Sequence, residues 1–185
     1  MSVGHWREKY KQLSKRMPEV EIHTGASYAD ILEKVRSLCE GENTDLSLLS
    51  NVSSLLYWSL KGVNWVGFYL RDGDHLILGP FHGNPACIII PMGKGVCGTA
   101  ASMAKTVIVE DVDAFPGHIA CDATSRSEIV VPLVEAGAVY AVLDVDSPVL
   151  SRFEAADRTF FEAVVSILME ALVRSNRLIA ARGTE

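Results

Sequence analysis

Two stretches leave this chain little freedom in how it can fold. In NWVGFYLRDGDHLILGPF (64–81), two apolar runs flank Asp72-Gly73; in EIVVPLVEAGAVYAVLDVDSP (128–148), two β-branched runs meet at a short EAG segment. A run of β-formers, a glycine-bearing turn and a second such run is the pattern of a hairpin, whose strands pair antiparallel. PACIIIPM (85–92) and TVIVEDV (106–112) read as further strands, about six in all.

Helical patterns surround these strands. Trp6, Tyr10, Leu13 and Met17 recur at three- and four-residue spacing and predict a helix over about 5–18. Ser27 with Asp30 three residues on, and Thr44 or Asp45, are start signals for two more. GKGVCGTAASMAK (93–105) reads as a short helix entered through glycines, and a long amphipathic helix is expected over about 152–181, with Ser151 as its cap. Hairpins bracketed by helices predict an α+β domain: a central antiparallel sheet of about six strands flanked by N- and C-terminal helices, not a parallel βα repeat. With no repeat or linker in 185 residues, the whole of 1–185 is expected to be one domain.

Composition narrows function more than fold. A net charge of −6 argues against nucleic acid as a partner, because such binders normally show a basic stripe. No apolar run approaches the roughly 20 residues of a membrane span, so no membrane partner is expected. The opening MSVGHWREKYKQ is too polar for a secretory signal, and a reducing, cytoplasmic setting is expected. Disulfides there tend to be transient and to take part in chemistry.

The chemistry-bearing residues are the cysteines and three acids. PMGKGVCGTA fails as a phosphate loop, because Lys94 is followed by Gly95 rather than Ser or Thr. Cys39, Cys87, Cys97 and Cys121 include no Cys-x2-Cys knuckle, so no metal site of that kind is expected. Cys39 reads as filler on a helix, and Cys87 opens an apolar strand. Cys97 falls in the first turn of a helix, where the dipole should favour a thiolate. Cys121 stands apart, in the polar loop GHIACDATSRSE (117–128). Asp144 and Asp146 lie two apart on a predicted strand and so share a face. The hairpin should bring that strand beside Glu128, so that three acids converge near the Cys121 loop. Such a cluster could bind an ammonium group, supply a proton or hold a metal.

NWVGFYL, LGPFHGNPACIIIPMGKGVCGTAA, TVIVEDVDAFPGHIACDATSRSEIVVPL and AVLDVDSP together resemble the free methionine-(R)-sulfoxide reductases, single GAF-domain enzymes, over about residues 27–172. The resemblance implies that Cys121 is the nucleophile and that Cys87 or Cys97 resolves it as a disulfide. It implies that Glu128, Asp144 and Asp146 line the substrate pocket with Trp65 and Tyr69. It further implies free methionine-(R)-sulfoxide as substrate, no bound cofactor or metal, and thioredoxin as external dithiol reductant. The apolar stripes of the two terminal helices suit a dimer interface, so a homodimer is expected. Arg126 departs from the small polar residue expected there. The competing reading is a GAF sensor that binds a small ligand without turnover, and such a sensor has no need of three positioned thiols.

Overall fold

Both hairpins form, and each is the centre of its half of the sheet. The structure, a computed structural model, describes residues 26–40, 44–119 and 123–174; the helix expected over 5–18 lies outside them. The first hairpin joins β1 (Trp65–Asp72) to β2 (His75–His82). Asp72 pairs with His75, so the tight turn is Gly73-Asp74, one residue later than the Asp-Gly signal, with Gly73 at φ +56°. The second hairpin joins β5 (Ser127–Glu135) to β6 (Ala138–Ser147). Two short strands, β3 (Ile89–Pro91) and β4 (Val107–Val109), close the edges. The antiparallel order is β3-β2-β1-β6-β5-β4, so β1 and β6 are the central strands.

Among the described residues, four α-helices cover the sheet. α1 (Tyr28–Cys39) starts on a capping box, with the Ser27 hydroxyl accepting from the Asp30 N–H and the Asp30 carboxylate accepting from the Ser27 N–H. α2 (Asp45–Ser59) starts on Thr44 in the same reciprocal way with Ser47, satisfying donors that a helix start otherwise leaves bare. α3 (Gly95–Met103) lies between β3 and β4, and α4 (Ala155–Arg174) ends the described chain. No helix among the described residues is long and apolar enough to cross a membrane.

α4 begins later than expected. Ser151 is in the left-handed region at φ +51° and its N–H donates to the Glu110 carbonyl, so it is a bend residue and not the cap. The start is instead fixed by Asp157, whose carboxylate accepts from the Glu154 N–H at 2.8 Å and from Arg152 at 2.9 Å.

Strand alternation sends each face of the sheet to a different partner. Val66, Phe68, Ile129, Leu143 and Val145 point to a core built with Ile31 and Val35 of α1, Val52 and Leu56 of α2, and Phe161, Val164 and Leu168 of α4. The opposite face carries Trp65, Tyr69, Val130 and Val142, and packs under Val96, Cys97, Ala100 and Ala101 of α3. Small residues let α3 sit close: a Cβ on Gly98 would lie 2.4 Å from the Pro91 carbonyl oxygen. The acids belong to this second face, beneath a single short helix.

Candidate active site

Strand register brings the three acids together. Asp146 on β6 stands opposite Glu128 on β5 and opposite Trp65 on β1. Asp144, two residues earlier, stands between Val130 and Gly67. Gly67 is required there: a Cβ would lie 2.4 Å from Trp65 Cη2 and 2.4 Å from Phe81 Cβ, because the indole lies across it. The indole stacks on Phe81 at 5.3 Å and on Tyr69 at 5.9 Å, forming an aromatic wall beside the carboxyls.

Cys97 enters from above on the first turn of α3, its thiol reaching Glu128 Oε1 at 3.7 Å. The expectation that the helix start would favour its thiolate is overturned. Burial, then Asp144 and Glu128, push its pKa well above the usual thiol value. The dipole of a nine-residue helix does not compensate for removing the thiolate from water beside two acids.

The acids are shifted in the same sense. Burial, and then Asp144 and Asp146, hold Glu128 well above the ordinary carboxyl range. Burial raises Asp144 to about 6, with hydrogen bonds from Cys97 and Glu128 tempering the rise. Asp144 Oδ1 is buried without a hydrogen-bond partner among the described residues. Burial and mutual repulsion thus favour a shared proton within the Glu128–Asp144 pair. Ligand atoms of Cys97, Glu128 and Asp144 all fall within 4.8 Å of one another, a spacing a metal ion could bridge; the thiol and Glu128 would first have to lose their protons.

These groups line a pocket of about 370 Å³, counted with its open mouth, together with Ile90, His118, Ile119 and Ser125. Among its described lining residues there is no lysine or arginine to neutralise three carboxyls. His118, Ile119 and Ser125 were not singled out by motif. Their only signal was membership of the same polar loop as Cys121; within it, Asn64 Nδ2 donates to the Thr124 and Ser125 hydroxyls, each at 3.0 Å.

Trp65 and Tyr69 stand next to the acids, each 1% exposed, but are not among the pocket's lining residues. Cys87 is not on a strand: it precedes β3 by two residues, in the β2–β3 connection, and is half-buried. Only Ile89–Pro91 of the isoleucine run pairs with β2. Cys87 is disulfide-bonded, whereas Cys39 and Cys97 are not. Cys121 lies outside the described residues. Arg126 faces Asp113 at 3.9 Å on the surface.

A GAF domain model matches residues 47–173. The free methionine-R-sulfoxide reductase of Escherichia coli is 46% identical over 149 residues, covering 80% of this chain and 90% of that protein. The chain belongs to the free methionine-R-sulfoxide reductase family. A family member from Saccharomyces cerevisiae is 41% identical over 166 residues, covering 83% of this chain and 92% of its own length. The crystal structure of the Neisseria meningitidis free methionine-R-sulfoxide reductase with its substrate superposes with a TM-score of 0.80 at 40% identity, covering 86% of this chain and 99% of that one. The six-stranded antiparallel sheet flanked by helices is thus the GAF architecture of this reductase family.

Proposed function

We propose that the protein reduces free methionine-(R)-sulfoxide to methionine, with Cys121 as nucleophile, Cys87 as resolving thiol and a dithiol protein of the thioredoxin type as reductant. The observation that carries this reading is the buried acid cluster in a pocket whose described lining includes no lysine or arginine. A zwitterionic amino acid supplies the missing cation as its ammonium, and three carboxyls can bind it by charge-assisted hydrogen bonds.

The Cys121 thiolate attacks the sulfoxide sulfur while Glu128, which keeps its proton, donates to the departing oxygen. Methionine leaves with its sulfur reduced by two electrons, and Cys121 is left as a sulfenic acid. The Cys87 thiol then displaces the hydroxyl, releasing water and forming the Cys87–Cys121 disulfide. That Cys87 is disulfide-bonded while Cys97 is free favours Cys87 as the resolving partner. Cys97, buried and protonated, suits a packing and hydrogen-bonding role against Glu128. Asp146, less buried than its neighbours, would be the main seat of the ammonium. The aromatic wall of Trp65 and Tyr69 would sit behind the S-methyl group. The cycle needs no resident cofactor, and because it needs a reduced thiol pool it belongs in the cytoplasm. A homodimer is part of the same reading.

The deciding assay offers the enzyme and dithiothreitol the free R-sulfoxide, its S epimer and an R-sulfoxide within a peptide. Only the free R form should be turned over. In a peptide the nitrogen is a neutral amide, and leaving a buried charge unpaired costs roughly 3–5 kcal/mol, two orders of magnitude or more in selectivity. Equal turnover of the peptide would remove the ammonium argument, and ligand binding without methionine release would favour the sensor reading.

A further inference from the structure

The sheet ends at β3, and that end is unusual. Ile88 is 72% and Ile89 55% exposed, although isoleucine is among the residues most often fully buried. Both directly follow Cys87, which is disulfide-bonded and half-buried. The Leu78 N–H donates to the Ile88 carbonyl, the Met92 N–H donates to the Asp74 carbonyl, and Leu76 is in register with Ile90. Residues 88, 90 and 92 thus spend their backbone groups on the β2 side. By antiparallel alternation, the Ile89 N–H and C=O turn outward, where the described sheet ends. Pro91 has no N–H and blunts the far end of the edge. What remains open is a strip of two or three residues, apolar, able to pair with a strand, and contiguous with a disulfide sulfur.

We infer that this strip, Cys87-Ile88-Ile89, is the docking surface for the dithiol reductase, and that Cys87 Sγ is the sulfur it attacks. The inference rests on the proposed reductase cycle and adds where the reductant binds and which sulfur it takes. Edge strands carrying apolar side chains are an association hazard that proteins normally blunt with lysine or a covering segment. Here neither is present among the described residues, and the exposed pair sits where a partner must come. A short segment of the reductase pairs with the Ile89 N–H and C=O, as in recognition by strand addition, while Ile88 and Ile89 enter an apolar surface of the partner. The reductase thiolate attacks Cys87 Sγ, breaks the Cys87–Cys121 bond and forms a mixed disulfide; Cys121 leaves as thiolate. The second reductase thiolate then attacks the partner sulfur of that mixed disulfide and frees Cys87, which takes up a proton. Two electrons pass to the enzyme, and the reductase departs oxidised.

The test is the pair Ile88→Glu and Ile89→Glu, alone and combined, with Ile→Val as controls. Neither side chain lines the pocket, so methionine formed in one turnover without reductant, and turnover driven by dithiothreitol, should stay within about twofold of wild type. With thioredoxin as reductant, kcat/KM should fall about tenfold or more in the double variant and recover in the valine forms. A thioredoxin whose second active cysteine is replaced by serine should be trapped on the peptide containing Cys87. Unchanged kcat/KM for thioredoxin in the double variant, or trapping on Cys121, overturns the inference. So does conversion of a dimer to a monomer with thioredoxin kinetics intact, which would assign the strip to a second copy of the chain. Absence of methionine in the wild-type single turnover would instead remove the reductase reading itself.

Discussion

The hydroxyl of Tyr69 donates to the carbonyl oxygen of Cys87 at 3.1 Å. Trp65 Nε1 donates to the Asn84 carbonyl at the same distance, so the two stacked rings hold the segment that carries Cys87. Burial, and then Asp144, raise the Tyr69 pKa strongly, which keeps its hydroxyl a donor. Tyr69→Phe should therefore slow closure of the Cys87 disulfide by roughly three- to tenfold, the kinetic equivalent of one hydrogen bond. Dimedone trapping of the Cys121 sulfenic acid, timed after a single turnover, reads this directly. A disulfide that closes at the wild-type rate would show that the hydrogen bond does not position Cys87.

Replacing the acids one at a time should separate proton donation from recognition. Glu128→Gln should lower kcat by about 10²–10⁴ with little change in KM, because an amide cannot give up a proton to the departing oxygen. Asp146→Asn should mainly raise KM for the free sulfoxide. Steady-state kinetics with dithiothreitol distinguishes them, and an exchange of the two patterns would exchange the two roles.

Asp144 makes stability depend on pH in a definite direction. Its pKa is raised by burial to about 6, from 3.8. Its favourable contribution is fully present below about pH 4 and is lost as pH rises through about 6, when the folded protein must carry a buried carboxylate. The difference is on the order of 3 kcal/mol. Asp144→Asn escapes it, so the Tm of the variant relative to wild type should be higher at pH 8 than at pH 4. A pH-independent difference would mean that Asp144 titrates normally.

Gly67→Ala should be costly for so small a change. The added methyl meets the Trp65 ring and Phe81 at 2.4 Å, and the aromatic wall must move. Overpacking of this kind costs about 1–3 kcal/mol. Urea unfolding measures it, and a change under about 0.5 kcal/mol would show that the wall yields freely.

Arg126→Asn should leave kcat/KM within about twofold of wild type and stability within about 1 kcal/mol, because the guanidinium is spent on an exposed contact with Asp113. A large loss of rate would instead tie Arg126 to the Cys121 thiolate.

The parts of the fold written in local pattern were legible. The hairpins followed from glycine turns between β-rich runs, and the shared face of Asp144 and Asp146 followed from strand alternation alone. What failed depended on distant neighbours. Cys97 sits in a helix start as expected, but its protonation is set by Glu128 and Asp144, which reach it only through tertiary packing. Cys87 borrowed a strand reading from the isoleucines after it, whereas pairing with β2 begins only at Ile89. Ser151 has the chemistry of a cap, but the Glu110 carbonyl takes its N–H and Asp157 takes over the helix start. Ser125 and His118 were marked only by sharing the Cys121 loop, because which of its residues line a pocket is a property of the folded loop.

The pairing of β1 with β6 has a consequence for biosynthesis. It joins Trp65 to Asp146, roughly eighty residues apart along the chain, and such non-local pairings form late. Until they close, Glu128, Asp144 and Cys97 are ordinary solvated groups with ordinary acidities. A chain emerging from the ribosome would carry its cysteines without the environment that directs them, so its redox competence switches on with the last strand.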